Sequence, residues 1–366
     1  NTVMSVTHAT PFNTNTTATP TSVTYATAGA ITTLNSAANG SRVQITFTPP
    51  VLNAPLALSF TGTGTNTTTL NWTQAGVTGE LGFVIMESDN GGLTYEFALK
   101  TAADALTATI SPLLANKNYF FRVYSLSEGG FSTALTNNVT TGTCGSLITN
   151  SATLASQGNI NWTALPWSLG HVPTPCEDAV ITFNRSTGVN DSTAIVLDID
   201  VSVNSLSISN SSTTSIYKKQ FSVTGDKKIE INGNLTLTCP SANKYSRMQW
   251  NVTDKTIING NLVLGTASPS STEGYTTIGS TGISPNQTYL MRGNVTFNKR
   301  ALTIDEHTIF IFDAVGAQSL INNTGTMATD TFSDAILFEK LIIGDARSPT
   351  LTFGGTNFPS NLNDKA

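Results

Sequence analysis

Three places in this 366-residue chain hold residue types able to do chemistry. "LGHVPTPCED" brings His171, Cys176, Glu177 and Asp178 close together, a set rich in metal-ligand types. Structural zinc takes four ligands at spacings such as C-x2–4-C. No second Cys or His accompanies these residues, so no metal is assigned. "VLDID" carries Asp198 and Asp200, which on one strand would face the same side, and "TIDEHTIFIF" gathers Asp305, Glu306 and His307. Carboxylates ~5–9.5 Å apart can perform acid–base work on a glycosidic bond. Yet no Asp cluster recurs along the chain, and no G-x-S-x-G, H-E-x-x-H or P-loop pattern is present. No catalytic residue and no cofactor is assigned.

The elements that would have to position such residues are embedded in an unusual composition. Charged residues make up 11% of the chain, against about 25% in an ordinary soluble domain. Thr, Ser, Asn and Gly fill the difference, so hydroxyls and amides must cover the solvated faces. The net charge is −5 and no Lys/Arg stripe occurs, which argues against nucleic acid as a partner. No apolar run reaches the ~18–20 residues of a membrane span. The chain begins at Asn1 without a Met, as after removal of a signal peptide or in a piece of a longer protein, and an extracellular setting is expected. Of the three cysteines, Cys144 and Cys176 are the disulfide candidates; their loop of about 32 residues would make the bond worth ~3–4 kcal/mol. Cys239 is expected as a buried free thiol.

Hydrophobicity alternates with period 2 in short runs bounded by Gly, Asn and Pro, which predicts an all-β protein. Residues 1–50 form a short N-terminal β segment with strands expected near 20–25, 29–34 and 42–48, either a piece of a preceding module or an arm. Residues 51–143 carry seven strand-like runs at 57–61, 68–73, 82–88, 94–100, 106–111, 118–126 and 133–141, the spacing of a β-sandwich. This stretch resembles the fibronectin type III family: Trp72 stands where that family has its core Trp, and "ISPLLANKNYFFRVYSLSEGGFSTALTNNVTT" matches its later strands, with Leu113 and Tyr119 as the corner pair and Val123 on the inward face. Inside it, "SDNGGLTY" (88–95) approaches the Asp-box hairpin of sialidases. With Asn90 at the usual Asp position, it reads as a turn in which Gly91 and Gly92 supply positive φ.

Residues 144–366 repeat themselves. "INGNLTL" (231–237), "INGNLVL" (258–264) and "MRGNVTF" (291–297) share a Gly-Asn-apolar core. Aligned on the apolar residue, Leu206, Leu235, Leu262, Val295 and Leu341 mark successive turns of a right-handed parallel β-helix, the last gap being read as two short turns. Stacked coils would place like residues in inside ladders, with Gly233, Gly260 and Gly293 as tight corners and Asn234, Asn261 and Asn294 as an amide ladder. A second sandwich is the rival reading. "GNINWTALPWSLGHVPTPCEDAVITF" resembles the entry segment of β-helical regions in large surface and secreted proteins of Bacteroidetes-type bacteria, and Trp162 and Trp167 would make its N-terminal cap at about 144–183. In that setting Gly-His-Val-Pro is simply a turn.

The function expected from this organisation is a non-catalytic, structural or adhesive part of an exported bacterial cell-surface protein, a stalk or adhesin. Its partners would be surface polysaccharide or another cell-surface protein. The alternative is a secreted carbohydrate-active enzyme, a lyase or hydrolase, with its site on the β-helix. A weaker alternative is an extracellular filament subunit whose first 50 residues exchange strands with a neighbour.

Overall fold

The computed structural model describes residues 4–7, 44–47, 52–74, 79–155, 158–184, 191–211, 219–240, 246–266, 274–279, 287–298, 301–303, 308–323, 340–344 and 350–354. Every regular element in them is a strand except one 3-10 turn, Trp162–Ala164. The N-terminal segment contributes an antiparallel pair, Met4–Thr7 with Gln44–Phe47. The second strand falls where the sequence predicts one. The expected strands near 20–25 and 29–34 lie outside the described residues. The chain otherwise divides into two compact units, one built on 69–110 and 118–139, the other on residues from Thr140 onward.

The first unit is the expected fibronectin type III-like sandwich. Leu56–Thr61, Thr68–Thr73 and Thr107–Ile110 form one sheet, while Leu135–Thr140, Asn118–Ser127, Phe83–Ser88 and Glu96–Lys100 are neighbours in that order in the other. Alternation in Asn118–Ser127 turns Tyr119, Phe121 and Val123 inward, and all three are buried, as are Trp72 and Leu113. Trp72 packs on Phe83 with ring centroids 5.2 Å apart. The 88–95 segment is the expected turn. Asn90 Oδ1 accepts the Leu93 and Thr94 amides at 3.2 and 3.1 Å, and Gly91 and Gly92 take φ of 82° and 81°.

The second unit is a parallel β-solenoid with three faces. Its first face stacks Ile148–Leu154, Glu177–Phe183, Ser205–Asn210, Leu235–Thr238, Leu262–Leu264, Val295–Phe297, Ala317–Asn322 and Thr350–Gly354. Its second runs from Ile160–Asn161 through Asp191–Leu197, Lys219–Gly225, Arg247–Val252 and Tyr275–Ile278 to Ala301–Thr303. Its third holds Val201–Val203, Ile229–Ile231, Lys255–Ile258, Gln287–Met291, Thr308–Phe312 and Lys340–Ile343. Among the described residues, five turns contribute a strand to all three faces. Inward columns are mostly apolar, with buried Thr193, Thr256 and Thr276 interrupting those of the second and third faces. In the first face Ala179, Leu206, Leu235, Leu262, Val295 and Leu320 align and are all buried. Burying each Leu is worth about 1.5–3 kcal/mol, so the columns are the main cohesive force of this unit.

Two features of the expected register need correction. Leu341 does not continue the Leu206 column; that place belongs to Leu320 and then Phe353, whereas Leu341 pairs with Phe310 on the third face. The reason is visible in the residues: "FEKLIIG" has the apolar run but lacks a small-polar corner before it, while "AQSLIN" (317–322) keeps the polar-Ser-Leu order of "VNSLSI". The second correction concerns the amide ladder, which runs on the outside. Asn234 and Asn294 are exposed and Asn261 half-buried, and only the apolar columns are internal.

The glycines act by proximity. A Cβ on Gly260 would stand 2.4 Å from the Gly233 carbonyl, and one on Gly293 would stand 2.1 Å from the Gly260 oxygen. A Cβ on Gly233 would meet Ser205 Oγ at 2.3 Å. The coils come this close because the Gly260 amide donates to the Gly233 carbonyl at 2.9 Å. Accordingly Gly260→Ala is expected to cost about 1–3 kcal/mol through forced displacement of one coil from the next. Gly145→Ala, whose Cβ meets nothing within 4 Å, serves as the near-neutral control. Urea midpoints of the solenoid transition in the two variants check the difference.

Candidate functional site

The corner residues make a continuous hydrogen-bonded seam. Asn234 Oδ1 accepts the Asn261 amide at 2.8 Å, Asn261 Oδ1 accepts the Asn294 amide at 2.9 Å, and Asn294 Oδ1 accepts the Ser319 amide at 2.8 Å. In the opposite direction the Asn261 and Asn294 carbonyls accept the Leu235 and Leu262 amides. Each Asn thus satisfies the corner N–H of the next coil, which has left the strand geometry that would give it a carbonyl. The side chains do not bond amide to amide. Ser205 begins the seam by accepting the Asn234 amide at 3.3 Å. At the other end Gln318 occupies the glycine position, and its Nε2 donates to the Gly293 carbonyl at 2.7 Å. Sequence reading found the three Gly-Asn copies and missed these two ends, although the Ser-Leu pairs at 205–206 and 319–320 carry the signal.

The cap is built as expected. Trp162 and Trp167 are buried with ring centroids 5.0 Å apart, and the Trp167 indole N–H donates to the Trp162 carbonyl at 3.1 Å. Cys144 and Cys176 form a disulfide, and Cys239 is a buried free cysteine. The bond removes Cys176 from any ligand set. Glu177 is held by Asn150 Nδ2 at 2.9 Å and the Thr174 hydroxyl at 3.1 Å, with His171 Nε2 at 3.8 Å. Asp178 accepts from Asn204 Nδ2 at 2.7 Å. These contacts stitch the chain into the first coil, and among the described residues no trio of His, Cys, Asp and Glu is placed to hold a metal.

Asp198 and Asp200 are not on one strand. The second-face strand ends at Leu197 and the third-face strand starts at Val201, so both aspartates lie in the corner between them. Asp198 accepts the Thr163 hydroxyl and amide, and Asp200 accepts the Lys228 amide at 3.0 Å. Each carboxylate is therefore occupied by its own neighbour. Asp305, Glu306 and His307 lie outside the described residues.

Among the described residues, two surfaces present side chains that can make contacts. The outward column of the first face runs Val180, Ser207, Thr236, Val263 and Thr296, all half-buried, beside a second run of Thr182, Ser209 and Thr238. At the ~4.8 Å spacing of paired strands these are rows of hydroxyls, the first interrupted by Val180 and Val263. The sandwich carries the other. Its second sheet places Phe97, Met86 and Arg122 in one cross-strand row. Arg122 lies over the Tyr95 ring at 3.8 Å, Tyr124 meets Phe131 at 5.9 Å, and Phe97 and Phe131 are each 63% exposed. Reading from sequence missed this surface, because alternation in "NYFFRVYSL" marks both faces of the strand with aromatics.

Among the described residues, two carboxylates are tuned. The Asp104 amide, against the cost of burial, and Gln74 hold the Glu80 carboxyl below its ordinary range. Desolvation pushes Asp198 up, but the Thr163 hydroxyl and amide outweigh it and leave Asp198 below that range as well. Depressed folded-state values mean stability that is present above the ordinary carboxylate pKa and is lost as pH falls towards the folded value. The solenoid's urea midpoint is therefore expected to fall with acidification from pH ~4 downward, and Thr163→Ala to flatten that dependence. An unchanged slope in the variant would place the effect elsewhere.

No protein-family model matches the chain, and no curated protein does. Among solved structures, the chain is similar to an FN3 domain of human collagen XX (25% identity, 25% of this chain, 97% of that chain, TM-score 0.23). It is also similar to a fourth human FNIII domain in solution (19%, 27% of this chain, 85% of that chain, TM-score 0.25). A structure titled as a myokine gives 17% identity over 25% of this chain and 98% of that chain, TM-score 0.23. The fold assignment rests on the strand order and registers: a fibronectin type III-like sandwich and a parallel β-solenoid in an all-β chain.

Proposed function

We propose that the chain is a non-catalytic structural and adhesive part of an exported cell-surface protein, a stalk that also contacts a polysaccharide or another surface protein. The observation that carries the reading is the seam: in successive coils the same corner is spent on bonding one turn to the next. A scaffold whose repeated residues all serve stacking is suited to reach and stiffness. The partly exposed disulfide supports an oxidising, extracellular setting. The resemblance of the 158–183 segment to Bacteroidetes surface proteins supports a bacterial cell surface. The carboxylates at 177, 178, 198 and 200 are each engaged by neighbouring amides or hydroxyls, which favours the stalk over a glycan-cleaving enzyme.

The contact surfaces suit a glycan. The Ser and Thr hydroxyls of the first face offer donors and acceptors, and exposed rings beside a guanidinium give apolar faces with one fixed charge. The test is incubation of the purified chain with a panel of microbial and algal polysaccharides, scoring retention and the release of new reducing or unsaturated ends. Retention without release is expected. The double variant Phe97→Ala/Phe131→Ala is expected to lower retention at least several-fold, because both side chains are exposed and contribute little to the core. New ends released by the wild-type chain would overturn the reading and direct attention to Asp305, Glu306 and His307.

A further inference from the structure

The disulfide sits at a particular place in the first coil. Among the described strands, Ile148–Leu154 ends the first face and pairs only with Glu177–Phe183, while on its other side the Ser151 carbonyl accepts the Ser168 amide at 2.8 Å and the Ser151 amide donates to Ser168 Oγ at 2.9 Å. The two are parallel, and Ile148 is opposite Glu177. Cys144 lies just ahead of the first strand and Cys176 immediately ahead of the second, so the bond joins the two strands at the same end. Between them the chain runs through the end strand, the two-residue strand Ile160–Asn161 and the tryptophan cap, a sequence separation of 32. This loop forms the end of the stack and contributes Ala152, Leu154, Trp162, Leu165 and Trp167 to the buried core.

We propose that Cys144–Cys176 is a mechanical latch that carries tension past the first coil; this rests on the stalk reading above, since a latch matters only in a loaded chain. Without the bond, a pull from the N-terminal side enters Ile148–Leu154 at its start. It opens the Ile148–Glu177 pair, then Thr149–Asp178, one step at a time, on a strand whose other side is held only by the Ser168–Leu169 segment of the same loop. The side-chain contacts of Asn150 with Glu177 and with the His171 carbonyl are taken in the same order. With the bond, the pull passes from Cys144 to Cys176 and loads Glu177–Phe183 first. That strand is hydrogen-bonded on both sides, to Ile148–Leu154 and to Ser205–Asn210. The end coil is thereby removed from the load path, and reduction of the bond returns it.

The experiment is single-molecule pulling of the whole chain between terminal handles, on molecules folded and mounted oxidised, before and after adding reductant. Reduction is expected to add a new event at the lowest force in the trace, releasing about 11 nm for a separation of 32 residues at ~3.6 Å each. The double variant Cys144→Ser/Cys176→Ser should show the same early event without reductant. The later solenoid events, unchanged in spacing, report that its remaining coils have folded. Release of the extra length only together with the rest of the solenoid, at unchanged force, would overturn the latch, as would an oxidised chain that already shows the early event. Neither result bears on the stalk reading, which fails instead if the unloaded chain releases new ends from a polysaccharide.

Discussion

The solenoid depends on how closely one turn's corner approaches the next. Parallel strands fix the spacing along the straight segments, but at a corner the backbone turns away from its partner and its N–H groups lose their carbonyls. A buried or half-buried N–H left in that state costs as much as a lost hydrogen bond. Here the cost is avoided by two residues acting together. Glycine at 233, 260 and 293 lets the backbones close to hydrogen-bond distance, and asparagine at 234, 261 and 294 reaches across with a side-chain carbonyl. The corner geometry then holds the apolar residue that follows in the inward column. Both the stacking and the core register descend from that pair.

This explains why three heptapeptides are nearly identical while the rest of the chain is not. Strands tolerate substitution, since Leu, Ile, Val and Phe all fill an inward column, as Ile181, Ile208, Leu237, Leu264 and Phe297 do in one of them. A corner tolerates very little, because a single methyl group collides with the neighbouring backbone. Where the seam begins and ends, the constraint relaxes, and Asn204-Ser205 and Gln318-Ser319 take over with side chains long or polar enough to close the bonds.

What could be read from sequence follows the same division. The sandwich strands, the Trp72 and Tyr119 core, the tryptophan cap and the Gly-Asn corners were legible because each is a local pattern with a steric cause. Leu341 was misplaced because apolar spacing alone cannot say which of three faces a strand belongs to. Asp198 and Asp200 were misread as one strand because alternation continues through a corner. The aromatic surface on the sandwich, the partners of Glu177 and the relation of Thr163 to Asp198 were not legible, since they join residues distant in sequence and no local signal marks them.

The seam can be tested without altering it, by hydrogen exchange at single-residue resolution. The Asn261, Asn294 and Ser319 amides are expected to be protected to the same degree as the Leu235 and Leu262 amides of the adjoining strands. Exchange at those three positions as fast as in exposed turns would contradict a seam closed by asparagine side chains and would leave the repeated corner unexplained.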